Sequence, residues 1–150
     1  MSITVYLSGE IHTDWRNEII KGAESNNLNI TFTSAVTNHE ASDAAGDMLT
    51  QTKDKEENNF WRDHKSAKVN AIRTKNLIEN CDLMIVRFGD KYKQWNAAFD
   101  AGYCAAIATP YVTLHAEDIV HPLKEVDAAA LAWTTSTEQV IDILKYICQE

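Results

Sequence analysis

The sequence predicts an α/β fold in three layers, with helices on both faces of a parallel sheet of strand order 2-1-3-4-5. Helical and β-type segments alternate along the 150-residue chain, and such alternation implies parallel strands joined by helices. The clearest unit spans residues 81–114, where a β run, an alanine-rich helix and a second β run follow one another. A chain of this length is expected to form one domain, residues 1–150.

The first part of the chain contains two predicted strands and the helix between them. Residues 3–7 are a short run of apolar and β-branched side chains that ends at Ser8-Gly9, which predicts the first strand. Thr13 or Asp14 is suited to cap the helix that follows. Residues 29–34 alternate between apolar and polar side chains, which predicts the second strand.

A long polar segment separates the second strand from the central unit. Residues 35–59 are predicted to hold a short helix over residues 40–50, and loops of this length are usually functional lids or interface arms. A helix over residues 59–80 is then predicted to lead into the third strand, residues 83–88.

The alanine-rich helix is predicted over residues 95–108 and has small side chains on its inner face: Ala97, Ala98, Ala101, Gly102 and Ala105. We expect Gly102 to permit close backbone approach, because glycine is otherwise unfavourable inside a helix. Asp100 lies near the helix start, where the helix dipole favours a carboxylate, so we expect it to stay ionised. It is either a solvated acid of the first turn or a carboxylate that faces a ligand.

The last part of the chain is predicted to complete the sheet. The remaining predictions are a fourth strand over residues 111–114, a loop over 115–122, one helical turn over 123–127, a fifth strand over 128–133 and a final helix capped by Thr135-Ser136.

The composition argues against several classes of function. The formal net charge of −8 disfavours a general binder of nucleic-acid polymers. No apolar run is long enough to span a bilayer, and the chain begins directly in strand-like sequence, so we expect a cytoplasmic protein without membrane contact. Cys81, Cys104 and Cys148 lie far apart, which is typical of reduced thiols rather than of a disulfide framework or a zinc site. We expect neither a metal nor a cofactor.

The predicted strand order indicates where on the sheet a ligand-binding site would lie. In such a sheet, ligands bind beyond the carboxyl ends of the strands, at the point where strands one and three are neighbours and the strand order reverses. This point is called the switch point. Two loops converge there, residues 8–16 and residues 89–100. The residues to be considered together are Tyr6, Glu10, His12, Arg16, Asp90, Asn96 and Asp100.

The carboxylates of these loops suggest acid–base or nucleophilic chemistry. Glu10 and Asp100 are candidates for a pair across the switch point, since cleavage at an anomeric carbon uses one carboxylate to attack and a second group to handle the proton. His12 and Asp14 are suited to a metal but lack a third ligand. No glycine-rich phosphate-binding motif is present, which disfavours a dinucleotide or nucleoside triphosphate.

Basic and aromatic side chains offer two further contacts. Arg16 and Arg73 are candidates to clamp a phosphate in bidentate fashion, or else they form salt bridges at helix flanks. Trp15 and Trp95 are candidates to stack on a base, or else they belong to the core.

Several segments resemble one family. Tyr-Leu-Ser-Gly at residues 6–9 resembles the Tyr-x-Ala/Ser-Gly that opens nucleoside 2-deoxyribosyltransferase-like proteins. Cys-Asp-Leu-Met-Ile-Val at residues 81–86 and the Phe-Asp-Ala-Gly-Tyr segment at residues 99–103 resemble that family's strand and helix. Ser-Gly-Glu-Ile-His-Thr-Asp-Trp-Arg at residues 8–16 is similar to the YtoQ-type branch. The resemblance covers essentially the whole chain.

The resemblance implies a flavodoxin-like fold and a double displacement at C1′ of a (deoxy)nucleoside or nucleoside 5′-monophosphate, by transfer or hydrolysis. By this resemblance Asp100 would be the nucleophile and Tyr6 would orient it. From the residues themselves we expect Glu10 or Asp90 to handle the proton, and we expect the substrate-binding set to be Gly9, His12, Asp14, Trp15, Arg16, Arg73, Trp95 and Asn96. Family members commonly form homo-oligomers whose sites are completed across an interface. A non-catalytic nucleotide-binding or sensing module on the same scaffold is the alternative.

The sequence departs from the transferase pattern in three places. Asp100 stands where the transferases have a glutamate, which is longer by one methylene. Thr74 stands where they tend to have an aspartate that handles the base. Gln94-Trp95-Asn96 replaces a glycine-containing turn that normally admits the sugar or its phosphate.

Overall fold

The computed structural model describes residues 2–49, 59–91 and 93–149, and it contains a five-stranded parallel sheet. Its strand order is β2-β1-β3-β4-β5, which confirms the predicted topology. The strands are β1 (Ile3–Gly9), β2 (Ile30–Ser34), β3 (Leu83–Phe88), β4 (Tyr111–His115) and β5 (Ala132–Thr134).

Helices cover both faces of this sheet. They are α1 (Trp15–Ser25), α2 (His39–Asp43), α3 (Asn59–Glu79), α4 (Trp95–Ile107), α5 (Val120–Ala129) and α6 (Thr137–Ile147). Helices α1 and α6 pack on one face, and α3, α4 and α5 contribute to the core on the other. Parallel strands are joined by right-handed crossovers. The connection from β1 to β2 runs in one direction along the sheet and the later connections run in the other, so α1 lies on the face opposite α3, α4 and α5.

Side chains alternate between the two faces of the sheet along each strand, and this alternation decides which of them point toward α4. Leu7, Ile85 and Leu114 belong to the core under α1 and α6, whereas Tyr6 and Met84 belong to the core under α3 and α4. Side chains two positions apart on a strand share a face, so the residue that follows Leu7 also points toward α4. The candidate site is therefore built on the α3 and α4 side of the sheet.

Strand β1 is longer than predicted, because it pairs with β3 through Gly9 and not only to position 7. Gly9 has φ +102°, and a Cβ atom there would lie 2.1 Å from the carbonyl oxygen of Arg87. Only glycine fits such a backbone without strain. Gly9 thus lets the chain leave the sheet at the switch point while β1 stays close to β3.

The region after β4 differs from the prediction. The predicted loop over residues 115–122 contains a 3-10 helix, Glu117–Ile119, and the start of α5, which begins at Val120 rather than at residue 123. Pro122 is compatible with this start, because a residue in the first turn of a helix needs no backbone N–H partner. Strand β5 is limited to three residues, and residues 128–131 end α5 or connect it to β5 instead.

The polar segment after β2 folds against α3. Asn38 caps α2 by accepting a hydrogen bond from the Ala41 backbone N–H at 3.0 Å, and a 3-10 helix, Ala44–Leu49, follows. The Ser66 hydroxyl ties this segment to α3 by accepting from the Gly46 N–H at 3.1 Å. The rest of the predicted lid or interface arm, residues 50–58, lies outside the described residues.

Among the described residues, no helix combines the length and the apolar character needed to cross a membrane.

Candidate active site

The two predicted loops meet at the carboxyl ends of β1 and β3. The backbone N–H of Glu10 donates to the Arg87 carbonyl at 3.1 Å, which joins the loops directly. Gly89 packs so closely that a Cβ atom there would lie 2.5 Å from Cγ of Glu10. The parallel pairing of β1 with β3 therefore brings residues 8–16 and 89–100 together, as the strand order predicts.

Asp100 is fixed at this junction by Ser8. The Ser8 hydroxyl donates to Oδ2 of Asp100 at 2.6 Å, across 92 positions of sequence. Burial raises the pKa of the Asp100 carboxyl, and the Ser8 hydrogen bond offsets part of the rise. The expectation that the helix dipole governs this acid was wrong. Asp100 is the sixth residue of α4 and faces the sheet, so desolvation outweighs a dipole effect that is confined to the first turn.

Tyr6 presents a buried phenol beside this carboxylate. Among the described residues its hydroxyl has no hydrogen-bond partner, although Thr74 lies near it. Burial and the neighbouring Asp100 raise the pKa of Tyr6 to about 12, while Thr74, Arg73 and Arg16 act in the opposite direction. The phenol is therefore protonated at neutral pH. Ser8, and not Tyr6 as predicted, is the residue that orients Asp100.

Glu10 organises its own loop. Its carboxylate accepts from the backbone N–H of His12, and from the N–H and hydroxyl of Thr13 at 3.0 Å and 2.5 Å. Nε of Arg87 lies 3.6 Å away, and the Glu10 side chain is only 3% exposed. Burial alone would raise the pKa of Glu10, but these donors and Arg87 outweigh it and lower the pKa. This geometry favours a structural anion over the proton-handling role predicted for Glu10.

Arg16 and Trp15 support the same loop from inside the protein. Arg16 donates to the carbonyls of Leu7, Gly9 and Glu10 at 3.3, 3.0 and 2.5 Å. Burial lowers the pKa of Arg16 to about 10. Trp15 is 1% exposed and donates to the Glu10 carbonyl at 2.8 Å. Neither the phosphate clamp predicted for Arg16 nor the base stacking predicted for Trp15 agrees with these contacts.

The remaining candidates of the first loop lie at its exposed rim. His12 stacks on His39 of α2 with ring centroids 5.4 Å apart, which links the loop to the segment after β2. Asp14 is exposed and accepts from the Asn17 amide at 2.5 Å. Within the described ranges, no group of three or more His, Cys, Asp or Glu side chains is placed to hold a metal ion.

The candidates of the second loop are also exposed. Asp90 and Asn96 lie at the rim, and Trp95 is 72% exposed with Nζ of Lys93 5.7 Å from its ring centroid. Arg73 is exposed on α3, where Nη1 donates to the Ser34 carbonyl at 2.8 Å. These side chains border the site on the solvent side, whereas Ser8, Tyr6 and Asp100 form its interior.

Two residues at the site were missed by the sequence reasoning. Ser8 follows Tyr6 by two positions on β1, so period-two alternation already placed both on one face of the sheet. Thr33 is the register partner of Tyr6 on β2, and its hydroxyl is buried without a partner among the described residues. No sequence signal marked Thr33, because its place depends on the pairing register.

A cavity of about 350 Å³ opens between α1 and β2, next to Thr33. Its lining combines apolar side chains, hydroxyl groups, two charged side chains and an amide: Leu7, Ile11, Ile20, Phe32, Thr13, Thr33, Ser34, Thr37, Asp14, Arg16 and Asn17. Neither Tyr6 nor Asp100 lines it, so this cavity and the Asp100 junction are neighbours and not one pocket.

Comparison with known sequences identifies the family. The family model described as nucleoside 2-deoxyribosyltransferase YtoQ matches residues 6–148. The uncharacterised protein YtoQ of Bacillus subtilis (strain 168) is 38% identical over 147 residues, which cover 98% of this chain and 97% of that protein. The chain belongs to the YtoQ family of nucleoside 2-deoxyribosyltransferase-like proteins, which confirms the resemblance seen in its sequence.

Solved structures show the same fold at low identity. A conserved protein from Enterococcus faecalis V583 matches with a TM-score of 0.66 and 11% identity, over 98% of this chain and 99% of that one. A 2-deoxyribosyltransferase from Bacillus psychrosaccharolyticus matches with a TM-score of 0.52 and 13% identity, over 93% and 90%. These similarities concern the fold alone, and with the observed strand order they confirm a flavodoxin-like architecture.

Proposed function

We propose that this protein cleaves the N-glycosidic bond of a nucleoside or nucleoside 5′-monophosphate, with Asp100 as the nucleophile. The observation that carries the proposal is the Asp100 carboxylate, held by Ser8 at 2.6 Å beside the Tyr6 phenol at the switch point of the sheet. Membership of the YtoQ family supports glycosyl transfer as the reaction class.

The reaction follows a double displacement. In the first step the Asp100 carboxylate bonds to C1′ while the bond from C1′ to the base nitrogen breaks, and the leaving base takes up one proton. In the second step water or another base bonds to C1′, gives up one proton and releases the carboxylate. Hydrolysis and transfer differ only in this acceptor.

The fixed position of Asp100 is its main contribution to the rate. A nucleophile held in a near-attack geometry avoids much of the entropic cost of the step, and misplacement by about 1 Å costs roughly a hundredfold. The Ser8 hydroxyl supplies this restraint for an aspartate that is shorter than the glutamate of the transferases. The protonated Tyr6 phenol lies at the same junction and is assigned as a hydrogen-bond donor to the substrate.

The exposed rim completes the assignment. Asp90 is the carboxylate we assign to relay the proton to the leaving base, because the oxygens of Glu10 are engaged by their own loop. Asn96 and Arg73 are assigned to the sugar or its phosphate. A cytoplasmic location is part of the proposal, and the three free cysteines are compatible with a reducing compartment.

The test is release of free base from a panel of nucleosides and 5′-monophosphates, with and without an acceptor base. We expect turnover in the wild type and a loss of roughly 10⁴-fold or more in Asp100→Asn, which keeps an acceptor for Ser8 but removes the nucleophile. Asp142→Asn is the matched control, since Asp142 is exposed on α6 and contacts Lys145.

Three results would count against the proposal. Equal turnover in wild type and Asp100→Asn would remove Asp100 from the chemistry. Thermal stabilisation by a nucleotide without turnover would favour the non-catalytic binding module. Neither turnover nor stabilisation by any member of the panel would leave the nucleoside assignment without support.

A further inference from the structure

We infer that Arg87 binds a phosphate group at the candidate site, which makes a nucleoside 5′-monophosphate, and not a free nucleoside, the ligand. The inference deepens the proposed function and rests on it for the place of the nucleotide. Arg87 is the second-to-last residue of β3, which ends at the switch point. The sequence reasoning treated Arg16 and Arg73 as candidates for the phosphate and did not consider Arg87.

The guanidinium of Arg87 is held at one end and open at the other. Nε is shielded from solvent, whereas the side chain as a whole is 24% exposed. Neither Nη1 nor Nη2 makes a hydrogen bond to a described residue, and neither is shielded as Nε is. The open end therefore presents two N–H groups in parallel, the arrangement that donates to two oxygens of one phosphate.

Glu10 holds the shielded end and leaves the other end unused. Its Oε2 lies 3.6 Å from Nε of Arg87, an ion pair that is too long for a hydrogen bond. The same carboxylate already accepts from the backbone N–H of His12 and from the N–H and hydroxyl of Thr13. An arginine that serves a carboxylate alone commonly meets it through two parallel hydrogen bonds. Glu10 therefore orients Arg87, and the Nη groups remain available to a ligand.

Two other arginines lie near the switch point, and both are engaged. Arg16 is 8% exposed and donates to three backbone carbonyls, so a phosphate would have to displace bonds that support the first loop. Arg73 is exposed on α3 and donates to the Ser34 carbonyl at 2.8 Å. Charge pairs that are open to solvent contribute little, whereas partly buried ones are screened less. Of the three, Arg87 is best placed to hold an anion in a chain of net charge −8.

The positions of Arg87 and Asp100 fit the two ends of a nucleotide. Arg87 follows Ile85 by two positions on β3, so its side chain leaves the sheet on the α1 side. Asp100 meets Ser8 on the α4 side. Both lie at the carboxyl ends of β1 and β3, where Arg87 pairs with Gly9. In a nucleoside 5′-monophosphate the phosphate and C1′ are at opposite ends of the sugar, so a ligand laid across these strand ends presents one to each residue.

The test is calorimetric titration of Asp100→Asn with common deoxynucleoside 5′-monophosphates and with the matching deoxynucleosides. This variant lacks the proposed nucleophile, so the ligands stay intact and binding is measured without turnover. We expect the monophosphates to bind at least about thirtyfold more tightly than the nucleosides, since hydrogen bonds between charged groups are the strong ones. Adding Arg87→Gln should reduce this preference to about threefold or less and leave the affinity for nucleosides within about twofold.

Arg62→Gln is the matched control. It removes one positive charge from α3, where Nε of Arg62 lies 3.7 Å from Asp47, and the preference for monophosphates should stay unchanged. Arg87→Lys gives a second measurement in case Arg87→Gln does not fold, which circular dichroism reports. It keeps the charge beside Glu10 but loses the planar fork, so the preference should fall at least about threefold.

Equal affinity for monophosphates and nucleosides overturns the inference, and so does the absence of binding by either. An unchanged preference in the Arg87 variants overturns it as well, and an equal loss in Arg62→Gln shows that net charge, and not Arg87, sets the preference. The proposed function fails separately. A preference that depends on Arg87, together with no release of base by the wild type, keeps Arg87 as the phosphate ligand and overturns only the cleavage.

Discussion

At the scale of single residues, the site depends on which hydroxyl holds the Asp100 carboxylate. Ser8 donates to it at 2.6 Å, whereas the Tyr6 hydroxyl has no partner among the described residues. A hydrogen bond to the charged form of an acid lowers its pKa, so Ser8 offsets the effect of burial on Asp100. Removal of the Ser8 hydroxyl and removal of the Tyr6 hydroxyl should therefore affect the pKa of Asp100 differently.

We expect Ser8→Ala to shift the acid limb of the pH–rate profile to higher pH. Burial already raises the pKa of Asp100, and loss of the Ser8 donor raises it further, so a higher pH is needed to ionise the nucleophile. The maximal rate should also fall by roughly ten- to a hundredfold, because the carboxylate loses its restraint. The measurement is kcat/KM between acidic and neutral pH.

Tyr6→Phe is the matched comparison for this shift. Removing an unpartnered buried hydroxyl relieves a desolvation cost of about 1–3 kcal/mol, so the variant should be no less stable than the wild type. Its acid limb should stay in place. A shift in Tyr6→Phe together with an unchanged profile in Ser8→Ala would return the orienting role to Tyr6.

At the scale of elements, the junction of β1 and β3 is controlled by two glycines. Gly9 has a positive φ and lies against the backbone of Arg87, while Gly89 lies against the side chain of Glu10. A backbone atom cannot move aside without disturbing the strand pairing, whereas a side chain can shift its rotamer. The two positions should therefore tolerate an added methyl group to different degrees.

We expect Gly9→Ala to destabilise the protein by about 3 kcal/mol or more, since it combines backbone strain with a steric clash. Gly89→Ala should cost less, about 1–2 kcal/mol, because Glu10 must give way and loses hydrogen bonds of its loop. Urea denaturation of both variants checks this order. If Gly89→Ala were the more damaging change, rigidity of the Glu10 loop would be the dominant constraint.

Helix α4 turns a different set of side chains toward the sheet from the set that was predicted. Its inner face was predicted to contain Ala98, Gly102 and Ala105, but Gly102 and Ala105 are exposed and Ala98 is only half-buried. The helical period places Ala97, Ala101 and Cys104 toward the sheet instead. The close approach expected at Gly102 is therefore not made by any of the described residues.

At the scale of the whole molecule, the net charge of −8 matters for stability. Repulsion among like charges destabilises a compact chain, and this repulsion is long-ranged at low ionic strength.

We expect the free energy of unfolding to rise when the ionic strength is raised from low to physiological salt. Salt screens the repulsion among the excess negative charges but leaves the apolar core in place. Urea denaturation at two salt concentrations measures the change. A protein that loses stability on addition of salt would show that attractive ion pairs outweigh this repulsion.

The sequence by itself determined the architecture and the position of the candidate site. Alternating periodicities and turn residues fixed the strand order, and strand order alone places the carboxyl ends of β1 and β3 next to each other. Strand β3 matches its predicted bounds because a short apolar run between turn signals is a local property. Segments such as residues 115–122 were less predictable, since packing extended α5 beyond its local signals.

Only the tertiary structure decided what each polar side chain does. Ser8 meets Asp100 across 92 positions of sequence, and Thr33 joins Tyr6 through the register of two strands. Glu10 and Arg16 have the residue types of a catalytic acid and a phosphate clamp, but they bind backbone groups of their own loop. Residue type sets which hydrogen bonds a side chain is able to make, whereas burial and the three-dimensional arrangement of distant segments select the bond that forms.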